Sequence, residues 1–324
     1  MIGGDFCPHK EETFEKDKFS RIAGIISNTD YSIVNLECPI DVRGDKKPIK
    51  KIGPNLRASQ TSASLLKRMG IKAVTLANNH FKDFGIDCCE DTFKYLSDNN
   101  IDYVGAGEDI NKARKILFKE ISDTTIAIIN CCEEEFSIAT EKEVGSNPIN
   151  SIKQYYDIRK AKENADVVIV IIHGGIEMYN LPTPIMQERY RFFIDSGADL
   201  VVNHHQHCYS GMEWYKGKPI YYGLGNLYFP SLGKSSKAWN EGFMLVISIN
   251  DKLIRGVETI PYSQSFEEGI ILGDTFDFKE SFNELSKVCR DPEELQSRYY
   301  NSILKEDKFS YKFLNPYNNR LLRG

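Results

Sequence analysis

The side chains best suited to chemistry in this chain are a few histidines and acids that follow apolar segments. The chain has six histidines, and five of them come after runs typical of buried strands: His80, His173, His204, His205 and His207. Two acids, Asp5 and Glu37, follow short apolar segments in the same way. Ligands of open α/β sheets bind at the carboxyl ends of the strands. We therefore expect these side chains to converge at one edge of the fold.

Imidazole nitrogens together with carboxylate oxygens form a ligand set for manganese, zinc, iron or nickel. Each signal is weak by itself, since a lone histidine at a strand end is more often structural and Asn78-Asn79 alone is compatible with a turn. Convergence of nearly all the histidines favours a metal site. The set is large enough for two divalent ions that share a carboxylate, the arrangement that clamps both oxygens of a phosphoryl displacement.

The segments that must position these residues alternate between strand-like and helix-like patterns, which is typical of an α/β fold with buried sheets. Apolar runs predict strands over residues 32–36, 72–77, 125–131, 167–172 and 200–203, and helices are predicted over 59–70, 87–99, 152–164 and 184–196. After residue 211 the pattern predicts antiparallel additions to the sheets, at 212–215, 219–224, 242–249 and 253–261. Helical segments at 277–288 and 291–304 predict a C-terminal helical extension, residues 265–324, after a main domain of residues 1–264.

Composition limits the classes of function. The 324 residues are 41% hydrophobic and 27% charged, which suffices for a full core in one large domain or two ordinary ones. The net charge of −5 argues against binding nucleic acid through bulk positive charge. The longest apolar run, 167–172, is too short to cross a bilayer, and the first residues do not resemble a signal peptide. Eight cysteines without a CxxC motif then indicate reduced thiols in a cytoplasmic protein.

Seven short motifs follow one another along the first 250 or so residues. They are Gly4-Asp5; Asn35-Leu36-Glu37; Leu76-Ala77-Asn78-Asn79-His80 with Asp83 and Gly85; Gly105-Ala106-Gly107; His173-Gly174-Gly175-Ile176-Glu177; Gly197-Ala198-Asp199 leading to His204-His205-Gln206-His207; and Gly217-Lys218-Pro219-Ile220 followed by Leu224-Gly225-Asn226. In this order and spacing they resemble the CapA family of capsule or poly-γ-glutamate synthesis proteins, within the calcineurin-like metallophosphoesterase fold. The resemblance implies a four-layer α-β-β-α sandwich, with two mixed sheets flanked by helices.

The resemblance also implies roles for single residues. Six residues would bind two divalent ions: Asp5 and His207 the first, Glu37 both, and Asn79, His173 and His205 the second. His80 would be the acid that protonates the leaving group, and Asp83 would orient its ring by fixing the tautomer. Glu177 and Asn226 match family positions and are candidates for substrate binding.

The first strand departs from the superfamily pattern. Ordinary members have an Asp-x-His motif there, whereas this chain has Cys7 at the third position and His9 two residues later. Cys7 and His9 are therefore additional candidate ligands, and the first metal is expected to have few ligands without them.

A cluster of positive charge follows Glu37 and comprises Arg43, Lys46, Lys47, Lys50, Lys51 and Arg57. It is either a solvated loop or a cationic rim that attracts an anionic substrate. Lys47 and Arg57 are the members that we single out as candidates for substrate binding.

These features predict a metal-dependent hydrolase of the phosphoesterase type that is linked to capsule or cell-surface polymer metabolism. Its substrate or partner would be anionic: a phosphoester, a sugar-phosphate polymer or a poly-γ-glutamate chain. Two alternatives stay open. One is a non-catalytic accessory protein that binds an anionic polymer or a synthase. The other is hydrolysis of an amide, such as a γ-glutamyl link, at the same metals.

Overall fold

The computed structural model describes residues 1–9, 18–230, 236–273 and 277–304. The strands are β1 (Ile2–Phe6), β2 (Ile33–Leu36), β3 (Ile40–Asp41), β4 (Ala58–Ser59), β5 (Ala73–Thr75), β6 (Asp102–Val104), β7 (Ala106–Gly107), β8 (Leu117–Ile121), β9 (Thr124–Cys132), β10 (Gly145–Ser146), β11 (Val167–His173), β12 (Leu200–His204), β13 (Met212–Tyr215), β14 (Lys218–Tyr221), β15 (Asn226–Tyr228), β16 (Glu241–Asn250), β17 (Leu253–Ser265) and β18 (Gly269–Leu272). The helices are α1 (Ser20–Ser27), α2 (Gln60–Met69), α3 (Ile86–Asp98), α4 (Ile110–Ala113), α5 (Ser151–Asn164), α6 (Pro184–Ser196), α7 (Lys237–Asn240), α8 (Phe278–Arg290) and α9 (Pro292–Tyr299), followed by a π-helical turn, Tyr300–Leu304.

Two large sheets form the centre of the fold. The first has the strand order β18-β17-β16-β1-β2-β5-β6, and β15 also pairs with β1. Its strands β1, β2, β5 and β6 are mutually parallel, whereas β16, β17 and β18 run antiparallel to their neighbours. The second has the order β13-β14-β12-β11-β9-β8, in which the four central strands are parallel and the edge strands β13 and β8 are antiparallel.

Three groups of buried apolar side chains hold four layers together. The first lies between the sheets and includes Ile2, Ile33 and Phe243 from one sheet and Ile171 and Val202 from the other. The second joins α1, α2 and α3 to the outer face of the first sheet, through residues such as Ile22, Leu66 and Phe93. The third joins α5, α6, α8 and α9 to the second sheet, through residues such as Ile158, Phe193, Val288 and Leu295. The predicted α-β-β-α sandwich is confirmed.

Local signals in the sequence account for the helix boundaries. The Ser59 hydroxyl accepts a hydrogen bond from the backbone N–H of Ser62, which satisfies one of the free donors at the start of α2. Gly70 ends α2 with a φ of +82°, a conformation that glycine adopts without strain. Thr183 caps α6 in the same way, and Pro184 occupies its first turn. In the described part of the chain, no helix is both long and apolar enough to cross a membrane.

Two predictions for the later part of the chain were wrong in detail. The strand predicted at 219–224 is the shorter β14, which runs parallel to β12 and antiparallel only to β13. The segment after residue 265 is not wholly helical, because β17 reaches Ser265 and then pairs with β18. β18 has only four residues, of which Ile270, Ile271 and Leu272 are apolar, so it is too short to show the alternation of a strand in the sequence.

The C-terminal helices lie against the second sheet. The backbone N–H of Met212, in β13, donates to the Ser286 hydroxyl of α8 at 3.0 Å. Val288 of α8 and Leu295 of α9 are buried in the same apolar core as α6. Residues 305–324 of the predicted C-terminal extension lie outside the described residues.

Strand β1 passes the Leu224–Asn226 segment so closely that Gly4 has no room for a side chain. A Cβ at Gly4 would lie 1.9 Å from the Gly225 carbonyl oxygen, which already accepts the Asp5 N–H. We expect Gly4→Ala to lower the free energy of unfolding by about 1–3 kcal/mol or more, because backbone must shift. Urea denaturation measures this change.

Gly24→Ala is the matched control for Gly4→Ala. A Cβ at Gly24, inside α1, would meet no atom within 4 Å. Alanine is favoured over glycine in a helix by about 0.8–1.0 kcal/mol, so this variant should be slightly more stable than wild type. Equal destabilisation by the two substitutions would contradict the close approach at Gly4.

Candidate metal centre

The carboxyl ends of parallel strands from both sheets meet at one end of the sandwich. Within the described residues, two groups have ligand atoms that all lie within 4.8 Å of one another: Asp5, Glu37 and His173, and Glu37, His205 and His207. Asn79 joins them, since its Oδ1 lies 3.0 Å from Nε2 of His173. The structure thus brings together all six residues predicted to bind metal.

Glu37 is the residue that the two groups share. Its side chain is completely buried, and neither carboxylate oxygen has a hydrogen-bond partner among the described residues. Oε1 lies 3.5 Å from Nε2 of His173 and 3.4 Å from Nε2 of His207. Burial, with the charge of Asp5 nearby, raises the pKa of Glu37 well above its ordinary value. A buried carboxylate without donors is costly unless a cation compensates it, so Glu37 fits a ligand of divalent metal.

Asp5 is held by donors from both sheets. Oδ1 accepts a hydrogen bond from Nδ2 of Asn35 at 2.7 Å, and Oδ2 accepts one from the backbone N–H of His205 at 3.1 Å. The side-chain Oδ1 of Asn35 in turn accepts hydrogen bonds from the Thr75 hydroxyl and from Nδ2 of Asn78. These contacts fix the direction of the Asp5 carboxylate without using all its acceptor capacity.

His205 and His207 lie on a strained turn. Their φ angles are +89° and +54°, in the left-handed region that residues other than glycine rarely adopt. Between them, the Gln206 amide donates to the backbone carbonyls of Tyr179 and Leu181, which holds the turn in place. Nδ1 of His205 is buried and has no hydrogen-bond partner in residues 1–9, 18–230, 236–273 and 277–304. Strain of this kind persists where the surroundings over-determine the backbone, often at functional sites.

Asn226, a candidate for substrate binding, contacts His207 instead of facing solvent. Its Oδ1 lies 2.9 Å from Nδ1 of His207, and its Nδ2 donates to the backbone carbonyls of His207 and Trp239. Because Oδ1 only accepts, Nδ1 of His207 must carry the proton, which leaves Nε2 with its lone pair toward Glu37. A second-layer contact of this kind orients a histidine for metal binding.

His80 and Asp83 form a buried pair beside the cluster. Nδ1 of His80 lies 2.6 Å from Oδ2 of Asp83, which also accepts the Leu56 N–H at 2.7 Å. Burial lowers the pKa of His80, and the Asp83 carboxylate opposes this shift. Since Nδ1 is committed to Asp83, Nε2 is the ring nitrogen left for a substrate.

Cys7 and His9 lie outside the two groups of ligand atoms. The Cys7 thiol is fully buried in the apolar core of the first sheet, and burial raises its pKa well above the ordinary value. His9 packs edge-on against Phe229, with its Nδ1 3.2 Å from the carbonyl oxygen of Cys7.

The remaining candidates for substrate binding are Arg57, Lys47 and Glu177. Arg57 pairs with the buried Asp41, so it stabilises the loop between β3 and β4. Lys47 is exposed on the same loop. Glu177 is exposed but lies near enough to raise the pKa of Glu37.

Sequence reasoning missed Glu135 as a residue of the site. Its Oε1 lies 3.9 Å from Nε2 of His205, and burial raises its pKa. The available signal was the acidic run Glu133-Glu134-Glu135, which follows the buried strand β9 at the same edge.

Fold and site define an α-β-β-α protein with a buried cluster of carboxylates and imidazoles between the ends of its two sheets. The family model described as "Bacterial capsule synthesis protein PGA_cap" matches residues 3–231, a range that contains the whole cluster. The chain therefore belongs to this family of bacterial capsule synthesis proteins.

Similar proteins agree with this assignment. The capsule biosynthesis protein CapA of Bacillus anthracis is 33% identical over 219 residues, which cover 65% of this chain and 53% of that protein. A probable polyglutamine synthesis accessory protein of Mycobacterium tuberculosis is 26% identical over 241 residues, covering 69% and 62%. The chain thus spans little more than half the length of these relatives. A hypothetical protein from Thermus thermophilus shares the fold, with a TM-score of 0.51, 12% identity, and coverage of 81% of this chain and 98% of that one.

Metal content tests the cluster directly. After dialysis against manganese or zinc, elemental analysis should find about one to two equivalents per chain, and a His205→Ala/His207→Ala variant should lose most of them. His204→Gln is the matched control, because His204 is equally buried but its Nε2 faces the Gly3 carbonyl at 3.1 Å. Equal metal content in the double variant and wild type would contradict the site.

Glu37→Gln should separate stability from metal binding. The pKa of Glu37 is raised in the folded state, so the metal-free protein loses stability as the pH rises above the unfolded-state value near 4.3. Glutamine lacks this titration, and we expect it to stabilise the metal-free protein by about 1–3 kcal/mol at neutral pH. The stability difference between Glu37→Gln and wild type should grow between about pH 4.5 and 7. The variant should also bind less metal than wild type. Urea denaturation in EDTA measures the difference, and a variant less stable than wild type would contradict it.

Proposed function

We propose that this protein is a metal-dependent hydrolase that acts on an anionic substrate of capsule or cell-surface polymer metabolism. The observation that carries the proposal is the buried Glu37 carboxylate, which faces His173 and His207 and accepts no hydrogen bond from the described residues, with the His80–Asp83 pair beside it. Two divalent ions would be held by Asp5, Glu37, Asn79, His173, His205 and His207. When bound, such ions act as Lewis acids and lower the pKa of water.

His80 is the residue that we assign to proton transfer. Its Nδ1 donates to Asp83, so protonation at Nε2 gives an imidazolium that the carboxylate stabilises. That Nε2 proton is the one available to a leaving oxygen or nitrogen. Asp83 is completely buried and holds the ring in this orientation.

A phosphoester is the substrate class that the arrangement supports best. Glu37 and the residues around it would hold the two ions, and these would supply positive charge to stabilise the charge that develops on phosphoryl oxygens. An amide of the γ-glutamyl type is the second class, because a protonated His80 serves a leaving amine equally well.

His80→Gln is the variant that tests catalysis. Loss of a general acid costs about 10²–10⁴ in rate, so turnover should fall by that range while metal content stays at the wild-type level. Asn79→Ala is the contrasting variant and should lower metal content itself. A phosphodiester, a phosphomonoester and a γ-glutamyl peptide serve as substrates, with metal measured in every sample. Unchanged turnover by His80→Gln would leave the proposed acid without a role.

A non-catalytic accessory protein is the second candidate. The departure from the Asp-x-His motif at the end of β1 favours this candidate. Cys7 is buried in the apolar core, so the first metal would lack the ligand that the histidine of that motif supplies. The Mycobacterium tuberculosis relative is also described as an accessory protein. A filled metal site without turnover of any substrate, together with equal binding of poly-γ-glutamate by wild type and His80→Gln, would support this candidate over the hydrolase.

A further inference from the structure

The ring of His205 has different surroundings at its two nitrogens. Its Nδ1 is buried and has no hydrogen-bond partner in the part of the chain that the structure describes. Its Nε2 lies 3.9 Å from Oε1 of Glu135, which is within the distance of an ion pair. A buried polar atom without a partner costs free energy unless a donor or a cation compensates it. Nδ1 is therefore the nitrogen that His205 offers to a metal ion, and Nε2 is the nitrogen that faces Glu135.

The loop that carries Glu135 is fixed to two other candidate ligands. At its start, the backbone N–H of Glu133 donates to the carbonyl oxygen of His173 at 3.0 Å. At its end, the Ser137 hydroxyl donates to the backbone carbonyl oxygen of Asn79 at 2.7 Å. The backbone of this loop is thus held against the cluster at both ends, and Glu135 lies midway between the two anchors in the sequence.

His207 shows how an oxygen outside the cluster sets the direction of an imidazole. Nδ1 of His207 lies 2.9 Å from Oδ1 of Asn226, so Nδ1 carries the proton and Nε2 is left toward Glu37. Glu135 stands in the same relation to His205, except that its oxygen faces Nε2. The proton of His205 would therefore be on Nε2 and its lone pair on Nδ1, which is the opposite tautomer to that of His207.

Glu135 is better placed to orient a ligand than to be one. It belongs to neither of the two groups of ligand atoms in the described residues, whereas His205 belongs to one of them. Among the described residues, His205 is also the one basic side chain within ion-pair distance of the Glu135 carboxylate. The Glu135 side chain is 28% exposed, so rotation about its side-chain bonds can bring the carboxylate within hydrogen-bond distance of Nε2.

We propose that Glu135 is a positioning residue that accepts the Nε2–H of His205 and so directs the Nδ1 lone pair toward a metal ion. A carboxylate on the outer nitrogen of a metal-binding histidine fixes the tautomer and raises the basicity of the ligating nitrogen. Such partners contribute about 10–100-fold to metal affinity. The inference rests on the metal binding that is part of the proposed function, and it does not depend on turnover.

The tautomer of His205 tests this role. Long-range proton–nitrogen correlation spectra of protein with isotope-labelled histidines show which ring nitrogen carries the proton, and zinc is the metal used because it is diamagnetic. In the metal-free and the zinc-loaded protein, we expect the proton of His205 on Nε2 and that of His207 on Nδ1. Glu135→Leu removes the acceptor, so it should abolish this preference of His205 in the metal-free protein and weaken zinc binding about 10–100-fold. Glu135→Gln keeps an acceptor oxygen and should retain most of both properties.

Two controls separate orientation from charge. Glu134→Leu changes an exposed residue of the same loop, and it should leave the zinc affinity and the His205 tautomer unchanged. Glu177→Leu removes a negative charge that acts on Glu37. It should weaken zinc binding less than Glu135→Leu does, and it should leave the tautomer unchanged. If Glu135→Leu does not fold, Glu135→Ala provides the same comparison.

The outcomes for this inference and for the proposed function are distinct. Protonation of His205 at Nδ1 in wild type would overturn the positioning role, and so would an unchanged tautomer and zinc affinity in Glu135→Leu. Equal losses of affinity in Glu135→Leu and Glu177→Leu, with the wild-type tautomer in both, would overturn it too, because charge alone would then matter. A tautomer and an affinity that depend on Glu135, without turnover of any of the three substrates, would support the positioning role and overturn the hydrolase. Absence of zinc uptake by wild type would overturn both.

Discussion

The buried carboxylate of Glu37 is the interaction on which the rest of the site depends. It lies at the end of β2 and is completely buried, with imidazoles from the opposite sheet within 3.5 Å. In the part of the chain that the structure describes, no donor reaches either of its oxygens. Leaving such a group without compensation costs free energy, and the folded chain accepts this cost only because both sheets are fixed by their own apolar cores. The site is therefore a region that costs the fold stability unless a cation is bound there.

A second layer of polar side chains keeps the ligands in place. Asn35 holds Asp5, Asn226 holds His207, and Asp83 holds His80. Each of these partners is buried and comes from a different segment of the chain than the residue it orients, apart from Asp83. The strained turn at His205 and His207 is maintained in the same way, through the Gln206 amide. Preorganisation of this kind is what a metal site needs for fixed geometry.

The sequence predicts the fold and the candidate metal ligands better than it predicts the residues that surround those ligands. The alternation of strand and helix patterns predicted an α/β fold, and elements such as β11 and α2 were predictable because β11 is an uninterrupted apolar run and α2 has a serine cap and a terminal glycine. The contact between His80 and Asp83 could be predicted from the sequence, because the two residues are three positions apart. The contact between Lys51 and His80 could not be predicted, because Lys51 lies 29 residues from His80 and resembles the other basic residues of its loop. The β14 direction and the β18 strand depend on long-range pairing that no local pattern records.

The candidate metal ligands are divided between the two sheets. Asp5, Glu37 and Asn79 come from the first sheet, while His173, His205 and His207 come from the second, so the cluster exists only when the inter-sheet core is packed. We prefer the hydrolase to the accessory protein because the buried His80–Asp83 pair has the arrangement that proton transfer requires, whereas binding of a polymer does not require it.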